Sequence, residues 1–304
     1  MKDQIASVIV GQEQTVDLVL TAILANGHVL IEGVPGVAKT LLARLTARLI
    51  DADFSRIQFT PDLMPSDVLG TTVFNMKTNE FDFHQGPIFA DIVLVDEINR
   101  APAKTQAALF EVMEERQISI DGITHKMGEL YTILATQNPV EQEGTYKLPE
   151  AQLDRFLMKI TMDYPSLEEE VNILERHHTN ASLIKLDDIK PAITKEELLS
   201  LRALMNQVFV DRTLLQYIAL IVQQTRTSKA VYLGASPRAS VAMLQSSKAY
   251  ALLQGRDFVT PEDIKFVAPY VLQHRLILTA EAEMEGYSPV KVTQRLIDKV
   301  EVPK

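Results

Sequence analysis

Short apolar runs alternate with longer amphipathic stretches through the first half of the chain. Most of the runs are nearly continuous in apolar residues, as a strand buried on both faces of a parallel sheet requires, and the segments between them are long enough for crossover helices. The runs lie at 28–32 (HVLIE), 56–60 (RIQFT), 92–97 (IVLVDE), 131–138 (YTILATQN) and 157–162 (LMKITM). The pattern predicts an α/β fold with a five-stranded parallel sheet, in which ligands bind beyond the carboxyl ends of the strands.

Beyond residue 166 the hydrophobic pattern is helical throughout. Cap signals separate the helices, among them Thr194 with Glu197 three residues later, and Thr260 followed by Pro261. The predicted helices span 167–178, 195–209, 211–226, 238–254 and 261–273, and the periodicity weakens after residue 279. A chain of 304 residues is long enough for two domains. We expect an α/β core over 1–182 and a helical domain over 183–304.

Composition and charge narrow the class of protein. The chain has 30 Lys and Arg residues against 40 Asp and Glu residues, a formal charge of −10, so its surface should repel nucleic acid rather than bind it. It has no cysteine, which excludes disulfides, thiolate metal sites and cysteine nucleophiles and fits a reducing cytoplasm. No apolar run approaches the ~20 residues of a membrane span, and the polar start does not resemble a signal peptide. We expect a soluble cytoplasmic protein without membrane insertion.

The strongest chemical signal is a phosphate-binding loop in LIEGVPGVAKTLLARL, residues 30–45. Such a loop needs a strand that delivers the chain, a turn with inward-facing N–H groups and a helix whose positive N-terminus faces the anion. The segment follows the pattern G-x-x-x-x-G-K-[ST], except that Ala38 replaces the second glycine. Alanine fits without strain if its backbone is close to the right-handed helical conformation, and we expect that conformation. The residues predicted to bind the nucleotide are Gly33, Val34, Pro35, Gly36, Val37, Ala38, Lys39, Thr40 and Leu41.

Two neighbouring carboxylates add to this signal. The loop pattern directs Lys39 to the β- and γ-phosphates of ATP and the Thr40 hydroxyl to Mg²⁺. Asp96 and Glu97 end a predicted buried strand, where Asp96 can hold the same Mg²⁺ and Glu97 can polarise an attacking water. Either acid alone could instead cap the following helix, but capping does not explain both acids together with the loop.

Further stretches of the chain carry a specific resemblance. They are VIVGQEQTV, EGVPGVAKTLLARL, FTPDLMPSDVLGT, GPIFADIVLVDEINRAPAKTQAALFEVMEE, ILATQNPVEQEGTYKLPEAQLDRFLMKI and GASPRA. Together they resemble the MoxR family of AAA+ ATPases, over nearly the whole chain. In that family alanine before the lysine is the usual form. The resemblance implies an AAA+ core of the α/β class followed by an all-helical lid domain, with ATP and Mg²⁺ as cofactors.

The resemblance also implies roles for residues outside the loop. Asn138 is similar to the residue that holds the attacking water or the γ-phosphate, although an Asn-Pro turn would also favour asparagine there. Arg155 resembles the arginine finger that reaches the nucleotide of the next subunit, unless it merely pairs with Asp154. Arg238 resembles a second sensor of the nucleotide, acting in its own subunit or in a neighbouring one.

Other segments have implied places in the assembly. Val10 and Gly11 resemble the lining of an adenine pocket. Residues 70–88 resemble an insert in the family's second helix, and 116–127 resemble a hairpin that turns at Asp121-Gly122. Both segments should project from a ring, either to contact a substrate or as ordinary surface loops. His177 and His178 are adjacent and point in different directions on a helix, so we expect them to face solvent rather than share a metal.

The function implied by the resemblance is Mg²⁺-dependent ATP hydrolysis by a ring, expected to be a hexamer, that remodels or activates a protein client. Proteins with a von Willebrand A domain are the implied client class. Two alternatives stay open. One is a nucleic-acid motor of the same fold, against which the charge of −10 argues. The other is a nucleotide-gated switch or scaffold that hydrolyses ATP slowly.

Overall fold

Short strands dominate the first half of the chain. The computed structural model describes residues 1–139, 146–179 and 188–303. Within them the strands are, in chain order, β1 (Val29–Gly33), β2 (Phe54–Gln58), β3 (Gly70–Asn75), β4 (Glu80–Gln85), β5 (Ile92–Asp96), β6 (Gln117–Ile120), β7 (Ile123–Lys126), β8 (Thr132–Gln137), β9 (Met158–Met162), β10 (Val231–Leu233) and β11 (Ile277–Leu278). Five of them form one parallel sheet in the order β2-β5-β8-β1-β9.

Helices lie between these strands and make up most of the second half. In chain order they are α1 (Lys2–Ala6), α2 (Glu13–Leu24), α3 (Lys39–Leu49), α4 (Pro65–Leu69), α5 (Ala103–Glu115), α6 (Glu150–Leu153), α7 (Leu167–His178), α8 (Lys195–Met205), α9 (Arg212–Thr227), α10 (Pro237–Leu253), α11 (Pro261–Leu272), α12 (Ala280–Met284) and α13 (Pro289–Lys299). None of the helices in the described ranges is both long and apolar enough to cross a bilayer.

The predicted α/β fold with a five-stranded parallel sheet is confirmed. The central strands β5, β8 and β1 are buried along almost their whole length, which explains their continuous apolar runs. The strand β2 lies at an edge, and its partly exposed side chains explain why RIQFT alternates between polar and apolar residues. β2 begins two residues earlier than predicted, because its pairing with β5 starts at Phe54 opposite Ile92.

The predicted cap signals occupy the expected places in the helical half. At Thr260 the backbone N–H donates to the Asp263 carboxylate (2.7 Å), and Pro261 is the first residue of α11. At Thr194 the N–H donates to Glu197 (2.8 Å), and the Glu197 N–H donates back to the threonine hydroxyl (3.2 Å). These reciprocal bonds satisfy N–H groups that have no partner within a helix.

The helical half differs from the prediction in three places. α8 ends at Met205 instead of 209, because the Phe209 N–H donates to the Asp257 carbonyl and the Phe209 carbonyl accepts from the Val259 N–H. A small antiparallel sheet of β10 and β11 accompanies the helices. The weak pattern beyond 279 contains a full helix, α13, whose buried side chains are Val292, Thr293, Leu296 and Ile297.

Two hairpins interrupt the α/β part. β3 and β4 pair antiparallel from Gly70 opposite Gln85 to Asn75 opposite Glu80, within the predicted insert. β6 and β7 pair from Gln117 opposite Lys126, and the turn between them has positive φ at both Asp121 (52°) and Gly122 (79°). A turn with positive φ at both central residues matches the twist of a hairpin, which is why Asp-Gly predicts it.

The chain divides into two units. One contains Met1–Val16, Leu30–Leu148 and Thr161–Leu199, and the other contains Asp17–Val29, Pro149–Ile160 and Ser200–Lys304. The predicted domain boundary at 182/183 lies within 180–187, outside the described residues. That boundary stays a prediction.

Candidate nucleotide-binding site

A tight loop joins β1 to α3 in the first unit. β1 ends at Gly33, where a Cβ would lie 2.7 Å from the carbonyl oxygen of Met162, so the close approach of that carbonyl requires glycine. Gly36 has φ of +92°, a conformation that glycine adopts readily and other residues rarely adopt. Val34 and Pro35 stand between these two glycines, and α3 begins at Lys39.

Ala38 does not have the right-handed conformation expected from the sequence. Its φ of 63° and ψ of 22° lie in the left-handed region, which costs a residue with a Cβ roughly 1–2 kcal/mol. The expectation was wrong because it took Ala38 as the start of the helix, whereas Ala38 is the last residue of the turn. Its carbonyl accepts the first helical hydrogen bond, from the Leu42 N–H (2.9 Å). The strain is therefore located where the chain changes from loop to helix.

A cavity of about 390 Å³ opens beside this loop. Six lining residues come from the loop and α3, and the others come from β2, β5 and β8 or directly follow them. The lining comprises Pro35, Gly36, Ala38, Lys39, Thr40, Leu41, Arg56, Gln58, Asp96, Glu97, Thr136 and Asn138. The cavity thus brings together the predicted lysine, threonine, acidic pair and asparagine at the carboxyl ends of the strands, where ligands of parallel sheets bind. We call it the phosphate cavity.

The side chain of Lys39 points back across the loop between β1 and α3. Lys39 Nζ donates a hydrogen bond to the Gly33 carbonyl (2.5 Å), six residues earlier in the chain. This contact holds the ammonium group over the loop, beside the Thr40 side chain in the phosphate cavity. An ammonium in that position can bind phosphate oxygens as a point charge.

A threonine of β8 links the acidic pair to the neighbouring strand. The Thr136 hydroxyl donates to Asp96 Oδ1 (3.0 Å) and accepts from the Glu97 N–H (3.0 Å). Asp96 is buried and its other oxygen, Oδ2, accepts from Arg56 Nε (2.6 Å). A buried carboxylate needs such partners, because burying an unpaired charge is costly.

Glu97 is held in a different way. Its backbone has φ of 56° and ψ of 51°, a left-handed conformation that turns the chain immediately after β5. Its Oε2 accepts from Gln58 Nε2 (2.7 Å) and lies 3.2 Å from Arg100 Nε. The carboxylate is about one-third exposed, so it can meet a water molecule in the cavity.

The sequence analysis missed three lining residues: Arg56, Gln58 and Thr136. All three follow the two-residue period of a strand, since Arg56 and Gln58 share one face of β2, and Thr136 shares a face with Asn138 at the end of β8. Polar residues at alternate positions of strands that end beside Asp96 were the available signal. Asn138 is buried, at 6% exposure.

A second, mostly apolar cavity of about 360 Å³ lies on the other side of the loop. It shares Gly36, Ala38 and Leu41 with the phosphate cavity. The other lining residues belong to the N-terminal segment, the loop and the α7 region, and they are Ser7, Val8, Ile9, Val10, Gln12, Val37, Pro165, Ile173, Arg176 and His177. A cavity with apolar walls, adjacent to a phosphate site, suits a nucleoside base. His177, which we expected only to face solvent, is exposed but also lies at this cavity.

Gly11, which was predicted together with Val10 for an adenine pocket, is not among the residues that line this cavity. Its φ is +73°, and a Cβ there would lie 2.4 Å from the Glu169 carboxylate. Glu169 is at the start of α7, where it accepts from the Ser166 N–H (2.7 Å) in a capping box. Arg176 of the same helix donates to the carbonyls of Ala6 and Ser7 (3.1 and 2.9 Å), which fixes the N-terminal segment against α7.

The oxygen donors of the phosphate cavity suit Mg²⁺. The buried Asp96 carboxylate and the Thr40 hydroxyl line the same cavity, and Mg²⁺ usually binds to one or two carboxylates together with phosphate oxygens of a substrate. In the part of the chain that the structure describes, no three His, Cys, Asp or Glu side chains form a metal cluster of their own. The residues present therefore fit a Mg²⁺ ion that protein and nucleotide hold jointly.

The two predicted arginines belong to the second unit. Arg155 lies in the turn 154–157 between α6 and β9, and Arg238 is the second residue of α10. The Asp154 carboxylate accepts from Arg275 Nε (2.6 Å) and lies 3.9 Å from Arg238 Nη1. Arg238 itself is 70% exposed.

Comparisons with known proteins agree with these features. A sequence model of the "ATPase family associated with various cellular activities (AAA)" matches residues 28–158, and a model of the AAA lid domain matches residues 223–298. The chain is 47% identical to an uncharacterised protein, YeaC, of Bacillus subtilis over 99% of this chain and 93% of that one. It is 44% identical to Chaperone MoxR1 of Mycobacterium tuberculosis over 99% of this chain and 81% of that one.

A solved structure shares the whole fold. It is the crystal structure of a candidate ATPase from Cytophaga hutchinsonii, 41% identical, which matches with a TM-score of 0.90 over 99% of this chain and 93% of that chain. The likeness therefore includes the α/β core with its five-stranded sheet and the helical lid. The chain belongs to the MoxR family of AAA+ ATPases.

Proposed function

We propose that this protein is a Mg²⁺-dependent ATPase that works in the cytoplasm as a ring of identical subunits, a hexamer, and uses hydrolysis to remodel or activate a protein client. The observation that carries the proposal is the phosphate cavity, which collects Lys39, Thr40, Asp96, Glu97 and Asn138 at the ends of β1, β5 and β8. These residue types supply a cation for phosphate, oxygens for Mg²⁺ and groups that orient water.

Each side chain has a distinct task in this proposal. The Lys39 ammonium and the N–H groups at the start of α3 bind the β- and γ-phosphates. Thr40 and Asp96 hold Mg²⁺, which neutralises charge that develops on the phosphate oxygens. Glu97 and Asn138 orient the attacking water. The guanidinium of Arg155 from the neighbouring subunit binds the γ-phosphate, and such an arginine contributes on the order of 10³-fold or more in rate.

The nucleotide site is tested by replacing the lysine. In Lys39→Ala we expect the affinity for ATP to fall by at least tenfold, because the substitution removes a charge-assisted contact worth roughly 1.5–3 kcal/mol. The matched control is Lys104→Ala, an exposed lysine at the start of α5. Titration with a fluorescent ATP analogue measures both. Equal affinity of Lys39→Ala and the wild-type protein would exclude the phosphate cavity as the nucleotide site.

A second experiment separates a motor from a slow switch. Glu97→Gln keeps the shape of the side chain and its contact with Gln58 but removes the carboxylate that polarises water. We expect steady-state turnover to fall by about 10² or more, while ATP stays bound and the oligomer persists. A switch that hardly hydrolyses ATP would show little change in turnover between wild type and variant.

The client contact belongs to the two hairpins. A cavity of about 570 Å³ lies between them, with exposed Phe81 (72%) and Ile123 (62%) in its lining. Thr72 Oγ1 donates to Asp121 Oδ2 (2.5 Å), so the hairpins are joined, and Phe83 packs against His125 at 4.3 Å between ring centroids. A joined, partly apolar surface without an excess of basic residues suits an extended protein segment better than a phosphate backbone.

The client contact is tested in the Glu97→Gln background, which holds ATP. Purified candidate clients with a von Willebrand A domain are captured on the immobilised protein. We expect Phe81→Ser with Ile123→Ser to reduce capture at least tenfold, whereas Met284→Ser, another exposed apolar side chain, leaves it unchanged. Undiminished capture by the double variant would exclude the hairpins as the client site.

A further inference from the structure

Three consecutive residues after α11 clamp the turn that carries Arg155. Gln273 Nε2 donates to the Lys159 carbonyl (2.5 Å) and His274 Nε2 donates to the Phe156 carbonyl (3.0 Å). Arg275 follows them and makes the largest number of contacts of the three. All of these residues belong to the second unit of the chain.

The Arg275 guanidinium bonds to both sides of Arg155 in the chain. Its Nε donates to Asp154 Oδ1 (2.6 Å), and Nη2 donates to the carbonyls of Asp154 (3.3 Å) and Phe156 (2.7 Å). Its Nη1 donates to the carbonyls of Leu157 (3.2 Å) and Val271 (2.5 Å). The guanidinium therefore fixes a peptide group before Arg155 and another after it, and it ties both to the end of α11.

Because the Arg275 side chain is buried, its hydrogen bonds restrict the backbone conformation of residues 154–157. The Arg275 side chain is 5% exposed, and desolvation lowers its pKa while the hydrogen bond and charge of Asp154 oppose that shift. Burial also lowers the pKa of His274 well below its ordinary value, so the imidazole is neutral. A buried guanidinium with a single carboxylate partner must satisfy its other N–H groups with carbonyls, because each unmet donor costs about 1–3 kcal/mol. Such a site tolerates one backbone path through 154–157.

The main chain around Arg155 is bonded locally as well. The Arg155 N–H donates to the Gln152 carbonyl (3.2 Å), and the Phe156 N–H donates to the Leu153 carbonyl (3.1 Å). With the backbone fixed on both sides, the direction in which the Arg155 side chain leaves the chain is also fixed. A misplacement of about 1 Å in a catalytic group can cost on the order of 10²-fold in rate.

We propose that Arg275 is a positioning residue for Arg155: it sets the direction of the arginine finger and couples that finger to the lid helix α11, so that the two move together. The inference rests on the proposed trans action of Arg155. Arg275 itself does not touch nucleotide in this scheme, and its own subunit's phosphate cavity is left intact when it is replaced.

If Arg275 only stabilised the fold, its replacement would affect stability but not kcat, as we expect for the control Arg256. Arg256 is the matched control, since it lies in the same unit and forms a bidentate pair with the buried Asp263 (2.7 and 2.5 Å). In Arg275→Gln we expect kcat to fall by about 10- to 100-fold with KM for ATP within about twofold of wild type. In Arg256→Gln we expect kcat to stay near wild type even if the melting temperature falls. Arg275→Lys keeps a charge at the site and provides a second variant if the glutamine variant does not fold.

Recovery of ATPase activity in mixed oligomers distinguishes a misplaced Arg155 from a folding defect. Glu97→Gln subunits have an intact finger and an inactive site, whereas Arg155→Ala subunits have an intact site and no finger. In an equimolar mixture about a quarter of the interfaces join an active site to an intact finger, so activity should return. We expect Arg275→Gln mixed with Glu97→Gln to recover activity in the same way, and Arg275→Gln mixed with Arg155→Ala to remain inactive.

The outcomes separate the two proposals. If the Arg155→Ala mixture recovers and the Arg275→Gln mixture does not, the positioning role of Arg275 is wrong, and the trans finger stands. If neither mixture recovers, Arg155 is not a trans finger and the inference fails with it, while the Lys39→Ala titration still decides the nucleotide site independently. A kcat for the Arg155→Ala, Arg275→Gln double variant well below that of Arg155→Ala alone would also overturn the inference, because a residue that acts through Arg155 has no effect without it.

Discussion

The backbone conformation of Ala38 was not predicted correctly from the sequence motif. The loop motif indicates which residues surround a phosphate, but it does not say whether the residue before the lysine completes the turn or starts the helix. Ala38 completes the turn, in the left-handed conformation. The available signal was the glycine that the loop pattern has at this position, because glycine is favoured where φ is positive.

We predict that Ala38→Gly raises the free energy of unfolding by about 1 kcal/mol, because glycine adopts positive φ without the Cβ clash. The control is Ala43→Gly, a fully buried position inside α3, which should lower it by about 1 kcal/mol or more. Urea unfolding measures both. A loss of stability in Ala38→Gly would mean that Ala38 is not left-handed.

Arg56 is a residue whose importance depends on a neighbour across the sheet. Its Nε donates to Asp96 Oδ2 (2.6 Å), and the Arg56 side chain is half exposed. The motif-based prediction identified Asp96 because acidic pairs at strand ends are recognisable in one dimension. It missed Arg56, because the contact joins two strands that lie 40 residues apart in the chain.

We predict that Arg56→Gln lowers the Mg²⁺ concentration for half-maximal nucleotide binding by up to about fivefold, equivalent to roughly 1 kcal/mol. The reason is that, at the proposed metal site, Arg56 and Mg²⁺ would compete for the Asp96 carboxylate. Mg²⁺ titration at constant ATP measures the effect, with Arg44→Gln, an exposed arginine of α3, as control. A higher Mg²⁺ requirement in Arg56→Gln would show that Arg56 assists the metal site instead.

Elements were predicted well where one face of the sequence is clearly apolar. The buried strands β5 and β8 match within one or two residues, and α7 matches throughout. α13 was missed although Val292, Leu296 and Ile297 have the four- to five-residue spacing of a helix with one apolar face. Val292 and Leu296 form a core cluster with Leu278 and Ala282. The end of α8 was misplaced because backbone bonds from Phe209 to a distant segment decide it.

An ion triplet anchors the start of α8 to the sheet. Lys195 Nζ lies 2.9 Å from Asp53 Oδ2 and 2.5 Å from Asp91 Oδ2, beside the beginnings of β2 and β5. The hydrogen bond and charge of Lys195 lower the pKa of Asp53, and the hydrogen bonds to Asp91 and Asp53 raise the pKa of Lys195. Both shifts favour the charged pair in the folded state.

We predict that Lys195→Met lowers the free energy of unfolding at neutral pH by no more than about 1 kcal/mol, because the pair is partly exposed. A lowered Asp53 pKa stabilises the fold above the ordinary value of 3.8 and loses this effect as pH falls through the folded-state value. The difference from wild type should therefore shrink in acid. Urea unfolding across this pH range, with Lys190→Met as control, measures it; a difference that is constant with pH would contradict the assignment.

In the whole molecule, one of the two arginines implied by the family resemblance lies beside the residue that precedes the other in the chain. Arg155 adjoins Asp154 in sequence, and Arg238 Nη1 lies 3.9 Å from Asp154 Oδ2. The sequence could not place Arg238 near Asp154, because the two come from segments more than 80 residues apart and only the tertiary fold joins them. Because Arg238 lies beside the residue next to Arg155, we infer that both arginines would act on the same nucleotide.

We predict that Arg238→Ala behaves like Arg155→Ala in subunit mixing: inactive alone, and active again when mixed with Glu97→Gln subunits. The physical reason is that Arg238 lies beside Asp154, the residue before Arg155, so a neighbouring site within reach of Arg155 would also be near Arg238. ATPase activity at several mixing ratios measures it. If Arg238 acts on the nucleotide of its own subunit, mixing will restore no activity. In that case each site with an intact Glu97 lacks its own Arg238, and each site with an intact Arg238 lacks the Glu97 carboxylate.

The Thr136 hydroxyl contacts two residues that have different tasks in the proposed mechanism. The Thr136 side chain of β8 donates to the Asp96 carboxylate and accepts from the Glu97 N–H. In the proposed mechanism Asp96 would hold the metal and Glu97 would orient the water, so Thr136 links the two groups. A displacement of β8 against β5 cannot loosen one without disturbing the other. Under the proposed mechanism, one hydroxyl group thus couples the metal site to the carboxylate that would orient the attacking water.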